Sequence, residues 1–187
     1  MALTKKPADE LRGIGAPNDL LEWMRKLPPE SATRSAWVDA PRADWVPYLA
    51  VLRGISREAI LRAACECAVE TSGTLGEGPE GARVLDVLRE TATRGRDALA
   101  TVETQLGDLR LAIISWGQGG HEPATQPTWM FWAELVFELA RASGRGNPLI
   151  GIALAMRMLA NPKSRRSGRL AHSDLVARFR DKLTLVG

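Results

Sequence analysis

The longest apolar stretch of this chain covers residues 129–160 and is interrupted near its middle. Up to residue 141, its only polar side chains are those of Glu134, Glu138 and Arg141. At about 100° per residue, these three fall on one narrow strip of a helix. A helix that is apolar around most of its circumference must be covered on several sides, so we expect this half to form a helix at the centre of the protein.

The second half of the stretch has the features of another helix. It begins with an Asn-Pro pair at residues 147–148, which supplies an N-cap and a proline at the one helical position where its ring is tolerated. Arg157 is its only charged residue before a second Asn-Pro pair at residues 161–162, where we expect the helix to end. The connection Ser-Gly-Arg-Gly at residues 143–146 is short, so the two helices are predicted to be antiparallel.

The rest of the chain is predicted to consist of short helices around this pair. Residues 1–17 contain Lys, Gly and Pro without hydrophobic periodicity, which predicts a flexible N-terminal arm, and residues 18–187 are predicted to form the helical domain. Ile113-Ile114 alone could be a strand, but no partner strand exists elsewhere. The predicted fold is therefore all-α, a single-domain multi-helix bundle around a central antiparallel helix pair.

Local signals predict where several helices begin and end. Ser56 is placed to cap the helix that follows it. That helix has a row of charged residues on its exposed side and small residues on its inner face, which would let a neighbouring helix approach closely. Two glycine-rich segments, residues 71–81 and 116–123, are predicted to be loops, and Gly107-Asp108 is predicted to break a helix.

The composition is that of an ordinary globular domain, with 45% hydrophobic and 25% charged residues among 187. The N-terminus lacks the apolar run of a signal peptide. Each half of residues 129–160 is too short for a membrane span, which needs roughly 20 apolar residues, and a single span would carry several charged side chains. We therefore expect a soluble cytoplasmic protein without a membrane partner.

The two cysteines, Cys65 and Cys67, do not suggest a disulfide or a metal site. Residues two apart on a helix point in different directions, so these thiols cannot form an unstrained disulfide. With no histidine or third cysteine nearby in the sequence, they make a poor metal site. We expect two small buried residues, and no metal ion or other cofactor.

No arrangement of residues in the sequence indicates catalysis. His121 lies beside Glu122 in a glycine-rich segment, where an acid–base role is conceivable. Neither His121 nor His172 belongs to a recognisable nucleophile or metal pattern. The glycines at residues 117–120 lack the Lys-Ser/Thr that a phosphate-binding P-loop requires. We therefore predict no catalytic residue and no enzyme activity.

The basic excess of the chain lies in the C-terminal segment 162–187. Seven Lys/Arg and two Asp give this segment a net charge of +5, whereas the remaining residues carry a net charge of −2. Its densest cluster, a candidate nucleic-acid-binding site through salt-dependent phosphate contacts, consists of Lys163, Arg165, Arg166 and Arg169. A solvated basic loop before a last amphipathic helix is the alternative, because no aromatic residues for base stacking are interleaved with the cluster.

The tryptophans give the second candidate site. The chain has six Trp but one Tyr and three Phe. Trp23, Trp37 and Trp45 lie on successive short helices, and Trp is enriched at protein-binding surfaces. These three residues are therefore candidate protein-binding residues. Ordinary packing of a Trp-rich N-terminal part is the alternative.

Part of the chain, roughly residues 44–122, resembles a family of uncharacterised helical bacterial proteins that are often encoded near type VI secretion genes. The motifs that carry the resemblance are Tyr48-Leu49-Ala50, Arg57-Glu58-Ala59, Ala64-Cys65-Glu66-Cys67-Ala68 and Trp116-Gly117-Gln118-Gly119-Gly120. Ser56 and Ala63 stand where the family usually has Pro and Trp. No catalytic residue is established for that family, so the resemblance implies a bacterial, helical, secretion-associated protein and no particular chemistry.

Together these observations predict a non-enzymatic bacterial protein–protein interaction module. An adaptor, an immunity protein and a chaperone-like protein all fit this description. The expected partner is another protein, and a homo-oligomer is left open. The alternative is a nucleic-acid-binding helical protein that uses the basic C-terminal segment.

Overall fold

The computed structural model describes residues 6–72, 78–121, 126–144, 148–160 and 172–185. In these ranges the chain forms eleven α-helices and one 3₁₀ turn and contains no strand, which confirms the all-α prediction. In chain order the helices are α1 Pro7–Gly13, α2 Asn18–Arg25, α3 Ala32–Asp39, α4 Val46–Leu52, α5 Arg57–Thr71, α6 Pro79–Arg94, α7 Arg96–Thr101, α8 Glu103–Gln118, α9 Thr128–Gly144, α10 Pro148–Leu159 and α11 His172–Leu185, with the 3₁₀ turn at Ala43–Trp45 before α4.

The predicted helix pair, α9 and α10, lies at the centre of the fold. These two helices pack against each other more extensively than any other pair. Trp132 of α9 is 1% exposed, and Leu149 and Met156 of α10 are fully buried. Helix α10 also packs against α5 and the 3₁₀ turn, while α9 contacts α6 and α8. The prediction that a helix apolar around most of its circumference lies at the centre of the fold is therefore confirmed for α9.

Helix α5 forms the second layer and brings three other helices together. Its start was predicted correctly, because the Oγ of Ser56 accepts a hydrogen bond from the N–H of Ala59 at 3.1 Å. The inner face of α5 is buried and made mainly of small residues, and α6, α10 and α11 all pack against this helix. Small side chains allow this close approach, as the sequence indicated.

The structure differs from the predicted flexible arm over residues 7–17. Residues 7–13 form helix α1, in which Leu11 is fully buried, and α1 packs against α2 and α4. Pro7 occupies the first turn, and the acidic first turn and Arg12 in the last turn suit the helix dipole. A helix of seven residues is too short to show a hydrophobic period, so one buried leucine gave no recognisable pattern.

The predicted helix break at Gly107-Asp108 is wrong. Helix α8 runs through both residues and continues to Gln118, so part of the predicted loop at residues 116–123 is helical as well. A glycine inside a helix costs about 1 kcal/mol relative to alanine. Leu106 and Leu109, on either side of the glycine, are 6% and 0% exposed. Burial of two leucines outweighs the cost of one glycine.

The predicted loop at residues 71–81 is shorter in the structure. Thr71 is the last residue of α5, and its hydroxyl donates to the carbonyl oxygen of Cys67 at 2.8 Å. Residues 79–81 already belong to α6. Residues 73–77 lie outside the described ranges.

Candidate functional site

Two of the three candidate tryptophans lie together. The ring centroids of Trp23 and Trp45 are 5.3 Å apart. The guanidinium of Arg42 lies 4.9 Å from the Trp45 ring. The same guanidinium is bidentate to Asp44, with Nε–Oδ1 at 3.0 Å and Nη2–Oδ2 at 2.5 Å, and also pairs with Asp19. The hydrogen bond to Asp44 is the main reason that the pKa of Arg42 is raised. Ion pairs thus hold a cation over an indole between α2 and the 3₁₀ turn.

Trp37 contacts two other arginines. The guanidinium groups of Arg53 and Arg180 lie 5.1 Å and 5.7 Å from its ring. Trp37 and Trp45 are only 8% and 5% exposed, whereas Trp23 is half-buried. Of the three, a partner could reach Trp23 directly, and the other two are core residues of the free chain.

The cysteines are buried thiols, as the sequence predicted. Both Cys65 and Cys67 are fully buried in α5. Burial raises the pKa of the Cys67 thiol to about 12 and raises that of Cys65 further. Because the thiolate is the nucleophilic form, neither group is poised for reaction at neutral pH. Across the described ranges, no three His, Cys, Asp or Glu side chains lie close enough together to hold a metal ion.

His121 is exposed just after α8 and stacks on Trp116. The two ring centroids are 5.2 Å apart and the planes are inclined by 23°. The neighbouring Glu122 and the side chain of His172 lie outside the described residues. The geometry around His121 is therefore that of a ring packed on an aromatic neighbour.

The basic cluster of the candidate nucleic-acid site, at Lys163, Arg165, Arg166 and Arg169, lies outside the described ranges. The C-terminal segment is described over α11, where two of its cations contact α5. The ammonium of Lys182 pairs with Glu70 and, at 3.6 Å, with Glu66. Arg178 lies 3.8 Å from Glu70. The hydrogen bond to Glu70 is the largest cause of the raised pKa of Lys182. These two cations thus form ion pairs between α11 and α5.

Sequence reasoning missed an exposed apolar edge on α8. Leu111 and Ile114 are 64% and 54% exposed and lie one turn apart. Arg110, beside Leu111, places its guanidinium 5.2 Å from the ring of Phe137 in α9. This edge of α8 therefore runs next to α9. A signal was present, because both residues fall outside the helical stripe formed by Leu109, Ala112, Ile113 and Trp116.

A second group of exposed apolar residues lies on α10. Ile150 and Leu154 are 49% and 40% exposed and lie one turn apart. Leu154 lines a shallow groove of about 310 Å³ between α9 and α10, together with Glu138, Arg157 and Met158. Arg157 could have marked this exposed strip in the sequence, because it follows Ile150 and Leu154 on the same side of the helix.

Helix α9 separates these two groups. Phe137 of α9 contacts Arg110 of α8. The next residue, Glu138, lines the groove between α9 and α10. We call the exposed residues Leu111 and Ile114 the α8 edge, and the surface on either side of the groove the α9–α10 face. Contiguous exposed apolar patches mark interaction surfaces when they are large.

Comparison with known proteins finds no related protein. The chain matches no protein-family model, and no curated protein or solved structure is significantly similar to it. Among the described helices, none has the length and apolar character that a membrane crossing requires. The surfaces described above are therefore the basis for a functional proposal.

Proposed function

We propose that the protein is a non-enzymatic bacterial protein–protein interaction module that works in the cytoplasm. Its roles would be those of an adaptor, an immunity protein or a chaperone-like partner of a secretion system. The observation that supports the proposal is the exposure of Leu111 and Ile114, at 64% and 54%, on the α8 edge. The sequence resemblance described above supports the bacterial and secretion-associated part.

The α8 edge suits an apolar surface of another protein. Burying a leucine or isoleucine side chain stabilises a complex by about 1.5–3 kcal/mol relative to leaving it exposed. The neighbouring Ile113 and Trp116 are partly buried, so a partner helix or groove could extend the contact onto them. Trp is enriched among the residues that carry most of the binding energy of a protein interface, so Trp116 beside this edge could add to the contact.

The test is recovery of a bound protein from the native host with matched variants. Ile114→Ser and the pair Leu111→Ser with Ile114→Ser remove the α8 edge. Val38→Ser is the control, because Val38 is 59% exposed but lies on α3. We expect a stoichiometric protein partner that the Val38 variant retains and that the double variant loses by at least about tenfold in affinity, while thermal unfolding is unchanged.

Two outcomes would contradict the proposal. One is a partner that binds the double variant as tightly as the native chain. The other is nucleic acid, released by salt, in place of a protein, and lost when Lys163, Arg165, Arg166 and Arg169 are all changed to Gln.

A further inference from the structure

The α9–α10 face carries opposite charges on its two helices. Glu134 of α9 and Arg157 of α10 are both exposed. Among the ion pairs of the described residues, neither side chain takes part in one. Between the two helices lies the groove that is lined by Leu154, which is 40% exposed. Arg157 lines this groove, and Glu134 lies one helical turn before Glu138, which lines it from α9.

Glu134 and Arg157 also lie at nearly the same height along the helix pair. Glu134 is ten residues before the end of α9 at Gly144, and Arg157 is nine residues after the start of α10 at Pro148. At 1.5 Å per residue, these separations correspond to about 15 Å and about 13.5 Å from the connection. Glu138 and Leu154 are each six residues from the same two helix ends and line the same groove, which agrees with this register.

We propose that the α9–α10 face binds a second copy of this chain, around a two-fold axis parallel to the helices. Rotation about such an axis places α9 of one copy over α10 of the other. Because Glu134 and Arg157 share one height, each Glu134 then lies opposite Arg157 of the other copy, and the pair forms twice. Leu154 lies beside the axis and contacts its own counterpart.

A second copy fits this face because a two-fold contact requires a surface that complements itself. One acid and one base on opposite sides of an apolar groove meet that requirement without any change of conformation. This inference goes beyond the proposed function, since it concerns a different face and leaves the α8 edge for another protein.

The experiment is analytical ultracentrifugation of the full chain over a range of concentrations. We expect a reversible monomer–dimer equilibrium. Glu134→Arg and Arg157→Glu should each raise the dimer dissociation constant about tenfold or more, because like charges then face each other twice. The chain that carries both changes should recover the native dissociation constant, since the exchanged charges attract again.

Matched controls are Glu22→Arg and Arg25→Glu on α2, where both residues are exposed. These variants change the net charge by the same amounts as Glu134→Arg and Arg157→Glu, and they should leave the dimer dissociation constant unchanged. A native chain that is monomeric at every concentration would overturn the inference, as would a double variant that stays as weak as the single ones. A monomer that still binds a protein through Leu111 and Ile114 would overturn this inference and leave the proposed function standing.

Discussion

At Gly95, between α6 and α7, the backbone has a φ of +64°, which side-chain-bearing residues rarely adopt. A β-carbon at this position would lie 1.3 Å from Oε1 of Glu58. The same oxygen accepts a hydrogen bond from the N–H of Arg96 at 2.9 Å. The carboxylate therefore cannot move away without losing a contact that connects α5 to α7.

We expect Gly95→Ala to be more destabilising than a glycine change that adds backbone strain alone. The matched control is Gly54→Ala, since Gly54 has a φ of +79° with nothing within 4 Å of a β-carbon, and strain should cost it about 1–2 kcal/mol. Gly95→Ala should cost about 1 kcal/mol beyond the control, because the Glu58 hydrogen bond is lost as well. Urea unfolding measures both, and equal losses would show that the Glu58 contact contributes nothing.

The Cys67 thiol makes the free energy of unfolding depend on pH in the alkaline range. Burial raises its pKa to about 12 from an ordinary value of 9.0. Between these values the folded chain keeps a proton that the unfolded chain releases. The stability that this difference contributes is therefore fully present below the unfolded pKa and is lost as the pH rises towards the folded pKa.

Comparison with Cys67→Ala isolates this contribution, because burial, the main cause of the raised pKa of the neighbouring Cys65, is present in both chains. From pH 8 to pH 10, the native chain should lose about 1.4 kcal/mol more of its free energy of unfolding than the variant does. Chemical unfolding at the two pH values measures the difference. Parallel losses in the two chains would mean that the Cys67 thiol titrates normally in the folded state.

At the scale of elements, α11 is held on α5 and its neighbours by two kinds of contact. Its apolar side is buried, with Leu175 and Phe179 fully covered and Leu183 at 1% exposure. Its charged contacts involve Lys182, whose side chain is 23% exposed, with Glu66 and Glu70. Partly exposed ion pairs contribute about 0–1 kcal/mol, whereas burial of one large apolar side chain contributes more. Packing should therefore dominate the docking of α11.

Phe179→Ala should lower the free energy of unfolding by about 3–5 kcal/mol, as expected for a large aromatic residue removed from a core. Lys182→Gln should lower it by no more than about 1 kcal/mol. Thermal or urea unfolding of both variants shows whether packing or ion pairing contributes more to the docking of α11. A larger loss for the lysine variant would reverse this assignment.

The α5 row of charged residues has a different role from the one predicted. The sequence placed Glu58, Arg62, Glu66 and Glu70 on a solvent-exposed side. In the structure Glu58 contacts the start of α7, and the Nε–H of Arg62 donates to the carbonyl oxygen of Ala92 in α6 at 2.9 Å. The two remaining glutamates receive cations from α11. The row lies where neighbouring helices meet, because α6 and α11 pack against α5 from either side.

At the scale of the whole molecule, the fold covers most but not all of its apolar surface. The α8 edge and the α9–α10 face keep large apolar side chains exposed, at Leu111, Ile114, Ile150 and Leu154. The candidate tryptophans Trp37 and Trp45, in contrast, are buried. Among the described residues, four of the five exposed large apolar side chains thus lie on helices of the C-terminal half, and the fifth, Val38 at 59%, lies on α3.

The sequence by itself determined the class of fold and the central helix pair. An apolar circumference with one narrow polar strip is a local pattern with a helical period, and only the centre of a bundle can cover it. The cap at Ser56 and the burial of Cys65 and Cys67 were also predictable, because each depends on a few neighbouring residues.

Arg157 marks one side of α10 in the sequence, but only the tertiary structure decided that no other described helix covers the apolar residues on that side. Ile150 and Ile152 are chemically identical neighbours in α10, yet the first is 49% exposed and the second is fully buried. The continuation of α8 through Gly107 was also decided by the tertiary structure. So was the formation of α1, which packs against α2 and α4 and buries Leu11. In each case the outcome depends on which helices fill the space around a residue. That arrangement follows from packing between distant parts of the chain, which a local sequence pattern does not record.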